Sequence, residues 1–330
     1  MKILGELALV RLIERMFNTA GGANLGIGDD CAAIAPSKGT LTLVTTDSLV
    51  DGVHFNKKLA PAELIGAKTA SVNLSDIASM GGVPKYLLLS ANITPGTDAK
   101  WMTRFLRGFK SAISPFKCQL VGGNVSSANN DLSFTVTAIG EIERRRMVKR
   151  DGARPGDVVY VTGTPGDSAL GLDFLLGGGK RLSPAQRKLV ARHLNPTPRV
   201  EWGRLIAKHG LATAMIDISD GVALDLYRVM EASGTSAAID LYDFPLSKEA
   251  AGLVKAGGAE AWRRVLTGGE DYELMFTVAP GKTSALERLV NAGKIIAAPI
   301  GVVTEGKPDV KVVGTEGRIM KMGRMGWTHG

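Results

Sequence analysis

Residues 43–55, LVTTDSLVDGVHF, crowd Thr45, Thr46, Asp47, Asp51 and His54 behind two apolar residues. Leu43 and Val44 read as the tail of a buried run. The hydroxyls and carboxylates then stand where a strand ends, the usual place for ligands in α/β sheets. Acidic residues recur beside glycine elsewhere: Asp29 and Asp30 in GIGDD, Asp217 and Asp220 in IDISDG, Glu270 and Asp271 in GGEDYEL, and Asp76 in NLSDIASMGG. Turn and cap chemistry accounts for any one of them, including Asp167 in GDSALGL as an N-cap. It does not account for the set. Asp76 falls inside a predicted helix, three residues after Asn73, so both project on one face.

Oxygen donors without cysteine or paired histidine suit a hard cation such as Mg²⁺, which is usually held together with phosphates. Two unit like charges ~4 Å apart repel by about 4 kcal/mol at an effective dielectric near 20, and two dianions by roughly four times that. An enzyme joining two phosphates must cancel most of this repulsion, and aspartates holding bridging ions do so. Other nucleotide signatures are missing. GKT at 281–283 lacks the first Walker glycine because position 276 is Phe, no GxGxxG follows a strand, and no HRD or DFG occurs.

The formal charge is +8 and 22% of residues are charged. That balance favours anionic small molecules or plain solubility. The longest basic run is Arg144–Arg146, followed by Lys149 and Arg150, which is no nucleic-acid arm. Aromatic content of 5% argues against base-stacking surfaces. Two cysteines, Cys31 and Cys118, are too few for a disulfide framework and read as reduced core thiols. The N-terminal apolar run is interrupted by Glu6, Arg11, Glu14 and Arg15 and reads as an amphipathic helix rather than a leader. No stretch approaches a membrane span, and the cytoplasm is the expected compartment.

These residues need positioning elements. In the first half, TLTLVTTD, YLLLSANI, CQLVGG and LSFTVTAIGEI predict strands, while residues 61–81 and 98–114 predict helices. The basic, turn-rich stretch ERRRMVKRDGARPGD marks a domain boundary, placed at 146/147. In the second half VVYVTG, TAMID, YELMFTV and APIGVV predict strands, with helices at 167–178, 184–194, 200–209 and 222–234. Both halves therefore read as α/β or α+β, without an internal repeat.

Taken in order, GIGDDCAAI, TTDSLVDGVHF, KTASVNLSDIASMGGVPKYLLLS, VGGN, KRDGARPGDVVYVTGTPGDSALGL, IDISDG, LTGGEDYEL and a terminal GW resemble the thiamine-monophosphate kinase family over nearly the whole chain. That family belongs to the aminoimidazole-ribonucleotide-synthetase-like superfamily. The resemblance implies a two-domain fold: 1–146 for ATP, Mg²⁺ and dimerisation, and 147–330 for phosphate, metal and substrate contacts. The N-terminal sheet is expected to form a barrel across a homodimer, with the active site in a cleft between domains. ATP would phosphorylate thiamine monophosphate by direct in-line transfer assisted by several Mg²⁺ ions. Residue by residue, Asp30, Thr45, Thr46, Asp47, Asp76, Asn124, Asp217 and Asp220 resemble the magnesium shell. Gly123, Asn124, Arg150 and Ser219 match positions that contact ATP. His54, Glu270 and Trp327 match positions that hold the thiamine end, where an aromatic ring and a carboxylate suit a cationic thiazolium. Asp29 and Asp51 stay secondary. Two departures stand out. Many members carry Asp where this chain has Asn124, which implies a weaker metal site, and a tyrosine near the nucleotide is replaced by Leu106.

Three other readings compete. Selenophosphate synthetase or aminoimidazole ribonucleotide synthetase would share ATP and Mg²⁺ but not the thiamine-end motifs, and the hydrogenase-maturation relative would end in a reactive cysteine. A non-catalytic nucleotide or thiamine-phosphate sensor would bind ATP without consuming it. A basic RNA-binding protein would show steep salt dependence, but no RNA module is present in the sequence.

Overall fold

The computed structural model describes residues 6–17, 26–27, 31–178, 181–320 and 325–327. The chain splits into two compact units, Met1–Ile77 with Gly82–Arg145, and Ala78–Gly81 with Arg146–Gly330.

In the first unit the order is α1 (Glu6–Phe17), β1 (Thr40–Val50), α2 (Ala62–Ser79), β2 (Val83–Ile93), α3 (Ala99–Ile113), β3 (Gln119–Ser127) and β4 (Ser133–Glu143). The sheet runs β1-β4-β2-β3, antiparallel except for the β2–β3 pair. Within one chain it is open, with β1 and β3 at its edges. Alternation decides which face is buried. Phe134, Val136 and Ala138 of β4 are fully buried, and Ser133, Thr135 and Thr137 point the other way. Helix α3 starts at Asp98, whose side chain accepts the Trp101 N–H at 2.7 Å. It buries Met102, Phe105, Phe109 and Ile113. Phe105 stacks on Phe134 with ring centroids 4.0 Å apart, and full burial of one such ring stabilises by about 1.5–3 kcal/mol. Helices α2 and α3 touch through glycine. A Cβ on Gly66 would lie 2.0 Å from the Phe105 carbonyl oxygen, and one on Gly108 1.8 Å from that of Glu63.

Three expectations need correction here. The strand does not end at Thr45–Asp47 but pairs with β4 through Val50. Val44 is exposed rather than the tail of a buried run, because it sits on the face opposite Leu43. Cys31 is exposed, since the irregular segment around it has no period to bury it, whereas Cys118 is buried and its thiol is pushed up to about 12 by burial. No described helix is long and apolar enough to cross a membrane.

The second unit contains β5 (Val158–Thr162), α4 (Asp167–Leu176), α5 (Pro184–Leu194), α6 (Val200–Lys208), β6 (Ala212–Asp217), α7 (Val222–Ser233) and β7 (Ser236–Asp240). It continues with α8 (Lys248–Thr267), β8 (Leu274–Val278), α9 (Thr283–Asn291), β9 (Ala297–Thr304), β10 (Val310–Val313) and β11 (Ile319–Met320). The sheet order is β11-β10-β7-β9-β5-β8-β6, with only β10–β7 parallel. Val159, Val161, Ile216 and Met275 of the sheet pack with Val222, Leu226, Val265 and Leu266 of the helices.

A buried polar network fixes the start of α4. Gly166 caps that helix in a left-handed conformation, φ +94°. The Asp167 carboxylate accepts no helix N–H as a cap would. It receives the Thr164 and Ser247 hydroxyls, each at 2.6 Å. Asp271 accepts the N–H groups of Gly166 at 2.7 Å and Ser168 at 3.0 Å. Fully buried Glu273 meets Arg192, Arg199 and the Thr162 hydroxyl. Burial opposes ionisation of Glu273, but Arg199 and Arg192 outweigh it and hold the carboxyl below its usual range.

Burial pushes the Asp271 carboxyl up to about 8, against the two backbone N–H groups that favour its charge. An acid whose folded-state pKa stands above its unfolded value loses its stabilising effect as pH rises between the two, because only the folded state keeps the proton there. The stability difference between wild type and Asp271→Asn should therefore fall from pH 5 to pH 8, by at most about 1.4 kcal/mol per unit. Urea midpoints across that range test this. A flat or rising difference would mean that Asp271 is ionised throughout.

Candidate functional site

Within the first unit, β1 and α2 meet through polar groups. Leu43, Thr45, Asp47 and Leu49 share the strand face toward α2, and Val44, Thr46 and Ser48 share the other. Thr45 donates its hydroxyl to Asp76 Oδ2 at 2.6 Å. Asn73 Oδ1 accepts the Asp47 N–H at 3.1 Å, and its amide donates to the Thr69 carbonyl at 3.2 Å. The i, i+3 pair on α2 thus places Asp76 against Thr45 and Asn73 against Asp47. Asp47 is exposed, whereas Asp76 is half-buried. Thr46 stands apart from them, donating to the Val136 carbonyl at 3.0 Å and accepting from Thr137 at 3.3 Å.

Past Val50 the chain turns. His54 is half-buried, and its Nδ1 accepts the Val50 N–H at 3.2 Å. Its carbonyl accepts from the buried Lys68 ammonium at 3.1 Å. Asp51 Oδ1 accepts the Lys57 N–H at 2.9 Å, a turn role.

On the opposite face of the sheet lies a cavity of about 960 Å³, lined among others by Ile13, Cys31, Ser90, Gly123, Asn124 and Thr137. Gly123 has φ +154°, and a Cβ there would lie 1.9 Å from the Leu89 carbonyl oxygen, so no side chain fits. Asn124, next along β3, is exposed. Leu106 is fully buried in the core of this unit and presents nothing to a ligand. Asp29 and Asp30 lie outside the described residues.

In the second unit Asp217 ends β6, and Ser219 and Asp220 form the turn into α7. Asp225, which sequence reasoning missed, organises that turn. Its Oδ2 accepts the N–H groups of Ser219, Asp220 and Gly221 at 3.0, 2.9 and 3.2 Å. Burial pushes its carboxyl up to about 6, against those N–H groups and Arg228. Arg228 reaches both Asp225 at 2.6 Å and Asp220 at 2.7 Å. An acidic residue in the first helical turn was the available signal.

Two segments close on this turn. Glu270 and Tyr272 adopt left-handed backbone, φ +68° and +51°, at a cost of about 1–3 kcal/mol each. Their N–H groups donate to the carbonyls of Ser219 at 2.8 Å and Ile218 at 2.9 Å. The Trp327 backbone N–H donates to the Asp220 carbonyl at 3.0 Å, while the residue as a whole is 51% exposed. The turn thus brings Asp217, Ser219, Asp220, Glu270 and Trp327 together from three distant stretches. Arg150 is an exposed side chain whose carbonyl accepts from Ser233 at 3.1 Å.

Among the described residues no group of three or more His, Cys, Asp or Glu is close enough to hold a metal ion. The donor chemistry still fits a hard cation: carboxylates, a hydroxyl and an amide oxygen, with no thiolate.

Two family models, AIR synthase related protein, N-terminal domain, and AIR synthase related protein, C-terminal domain, match residues 28–142 and 154–313. A thiamine-monophosphate kinase of Aquifex aeolicus is 37% identical over 307 residues, covering 93% of this chain and 96% of that protein. The crystal structure of thiamine-monophosphate kinase from Stenotrophomonas maltophilia is 33% identical with a TM-score of 0.83, over 94% of this chain and 97% of the other. AaThiL complexed with AMPPCP and TMP is 34% identical with a TM-score of 0.78, over 100% and 99% of the two chains. With likeness of that depth running through both units, the chain belongs to the thiamine-monophosphate kinase family, on the two-domain AIR-synthase-like α/β fold.

Proposed function

We propose that the protein phosphorylates thiamine monophosphate to thiamine diphosphate with ATP, as the family does. The observation that carries this reading is the pairing of strand and helix at Thr45–Asp76 and Asp47–Asn73, matched in the second unit by the carboxylates around the β6–α7 turn. Both units supply oxygen donors. Asp30, Thr45, Thr46, Asp47, Asp76, Asn124, Asp217 and Asp220 would hold Mg²⁺, which when bound offsets the repulsion between two polyanions. Residues 1–146 serve ATP, metal and dimerisation, and 147–330 serve phosphate and substrate. The open first-unit sheet forms its barrel with that of a second copy, in a cytoplasmic homodimer.

The acceptor's phosphate has its second pKa near 6 and is largely ionised at pH 7. No strong general base is needed, so the chain's task is alignment for direct in-line transfer. Gly123 leaves the backbone bare for close approach of ATP, with Asn124, Arg150 and Ser219 as further contacts. His54, Glu270 and Trp327 hold the thiamine end. Trp327 suits this role because the residue is exposed while its backbone N–H is tied to Asp220.

Purified protein with ATP, Mg²⁺ and thiamine monophosphate should yield thiamine diphosphate and ADP. Absence of that product, with ATP consumed on selenide or an aminoimidazole precursor, would overturn the reading. Asp47→Asn and Asp76→Asn should each lower kcat by at least about 100-fold with thermal midpoints unchanged within a few degrees, and near-normal rates at limiting Mg²⁺ would remove both from the site. Asn124→Asp should lower the Mg²⁺ concentration for half-maximal rate; an equal or higher requirement would exclude it as a ligand. Trp327→Ala should raise KM for thiamine monophosphate by about tenfold and leave that for ATP nearly unchanged. Equal losses would mean that the ring only packs.

A further inference from the structure

We infer that His193, held by Ser168, is a positioning residue that aims the Glu270 carboxylate at the cationic end of the acceptor. The inference rests on the substrate role proposed above for Glu270. His193 lies on α5, far in sequence from the turn it serves, and is 4% exposed. Its Nδ1 stands 3.5 Å from Glu270 Oε2 and 3.1 Å from Ser168 Oγ.

The chemistry selects a tautomer. An ionised carboxylate only accepts hydrogen bonds. The 3.5 Å contact with Glu270 is attractive only with the proton on Nδ1, which then also faces Ser168 Oγ at 3.1 Å. Ser168 Oγ, beside the same nitrogen, serves as a second acceptor that keeps the ring from swinging away.

The backbone on both sides of the contact is tied down. The Ser168 N–H is tied to Asp271, the residue after Glu270. The Glu270 N–H is tied to Ser219, and the Tyr272 N–H to Ile218. Backbone bonds thus fix where the 269–272 segment runs, with Glu270 in left-handed conformation. They do not fix where its side chain points. That side chain is 23% exposed, enough to reach solvent while an oxygen faces His193. A flexible carboxylate at the surface would lose rotamer freedom on meeting a cation, and a carboxylate already aimed does not.

The test uses full-length protein and steady-state kinetics for both substrates. His193→Leu, which removes the donor and keeps bulk, should raise KM for thiamine monophosphate about tenfold, with kcat and KM for ATP within twofold. His193→Asn, which restores an N–H close to the Nδ1 position, should bring KM back to within about threefold of wild type. Glu270→Gln runs alongside. If it raises KM for thiamine monophosphate and His193→Leu does not, the positioning role is wrong and the substrate reading stands. If Glu270→Gln leaves KM unchanged, the substrate reading falls and the inference with it. Should His193→Leu fail to fold, ¹⁵N NMR of histidine-labelled wild type decides. A protonated Nδ1 at His193 supports the assignment, and an unprotonated one overturns it.

Discussion

Buried carboxylates held by backbone N–H groups are the constraint on which the second unit depends. Asp225 gathers three consecutive N–H groups of the β6–α7 turn onto one oxygen. Asp271 gathers two from the start of α4. Burial opposes the charge in both cases, and the converging donors oppose burial. A loop that satisfies such a group has little freedom left, because moving any one N–H leaves a buried acceptor short. The turn that presents Asp217, Ser219 and Asp220 is thereby shaped before any ligand arrives.

The first unit solves the same problem with side chains. Helix α2 presents Lys68, Asn73 and Asp76 toward β1 and the turn after it, meeting the His54 carbonyl, the Asp47 N–H and the Thr45 hydroxyl. On its other side the helix lies close to α3, where Gly66 and Gly108 leave room for the backbones to touch. Strand, helix and turn are locked together along one polar seam, with the aromatic core of Phe105 and Phe134 behind it.

Much of the local structure was legible in the chain. Period 3.6 marked α3 and alternation marked β4, because one buried face imposes a period on any amphipathic element; α2, buried nearly all round, was marked instead by its glycine stop at Gly81–Gly82. Elements without such a face were harder. Strand β1 looked finished at Asp47, because Thr46 and Ser48 face away from α2 and Asp47 is exposed, so polar residues there carry no penalty. The short β7, β10 and β11 and the helices α8 and α9 went unread. Their definition comes from pairing and packing with distant partners more than from their own pattern. Cys31 was misjudged for a related reason, since small apolar neighbours do not bury a residue unless an element carries them inward.

Motif order along the chain was enough to place it in its family, because glycine at forced backbone positions and carboxylates at loop ends are local requirements that each segment states by itself. The sequence alone also predicted that Asn73 and Asp76 share a helix face, which follows from helical geometry. Tertiary structure decided what that face meets, and that His193 and Ser168 support residues far from them in the chain. Hydrogen-bond partners 20 to 100 residues apart leave no periodic trace, and only the folded backbone brings them within reach.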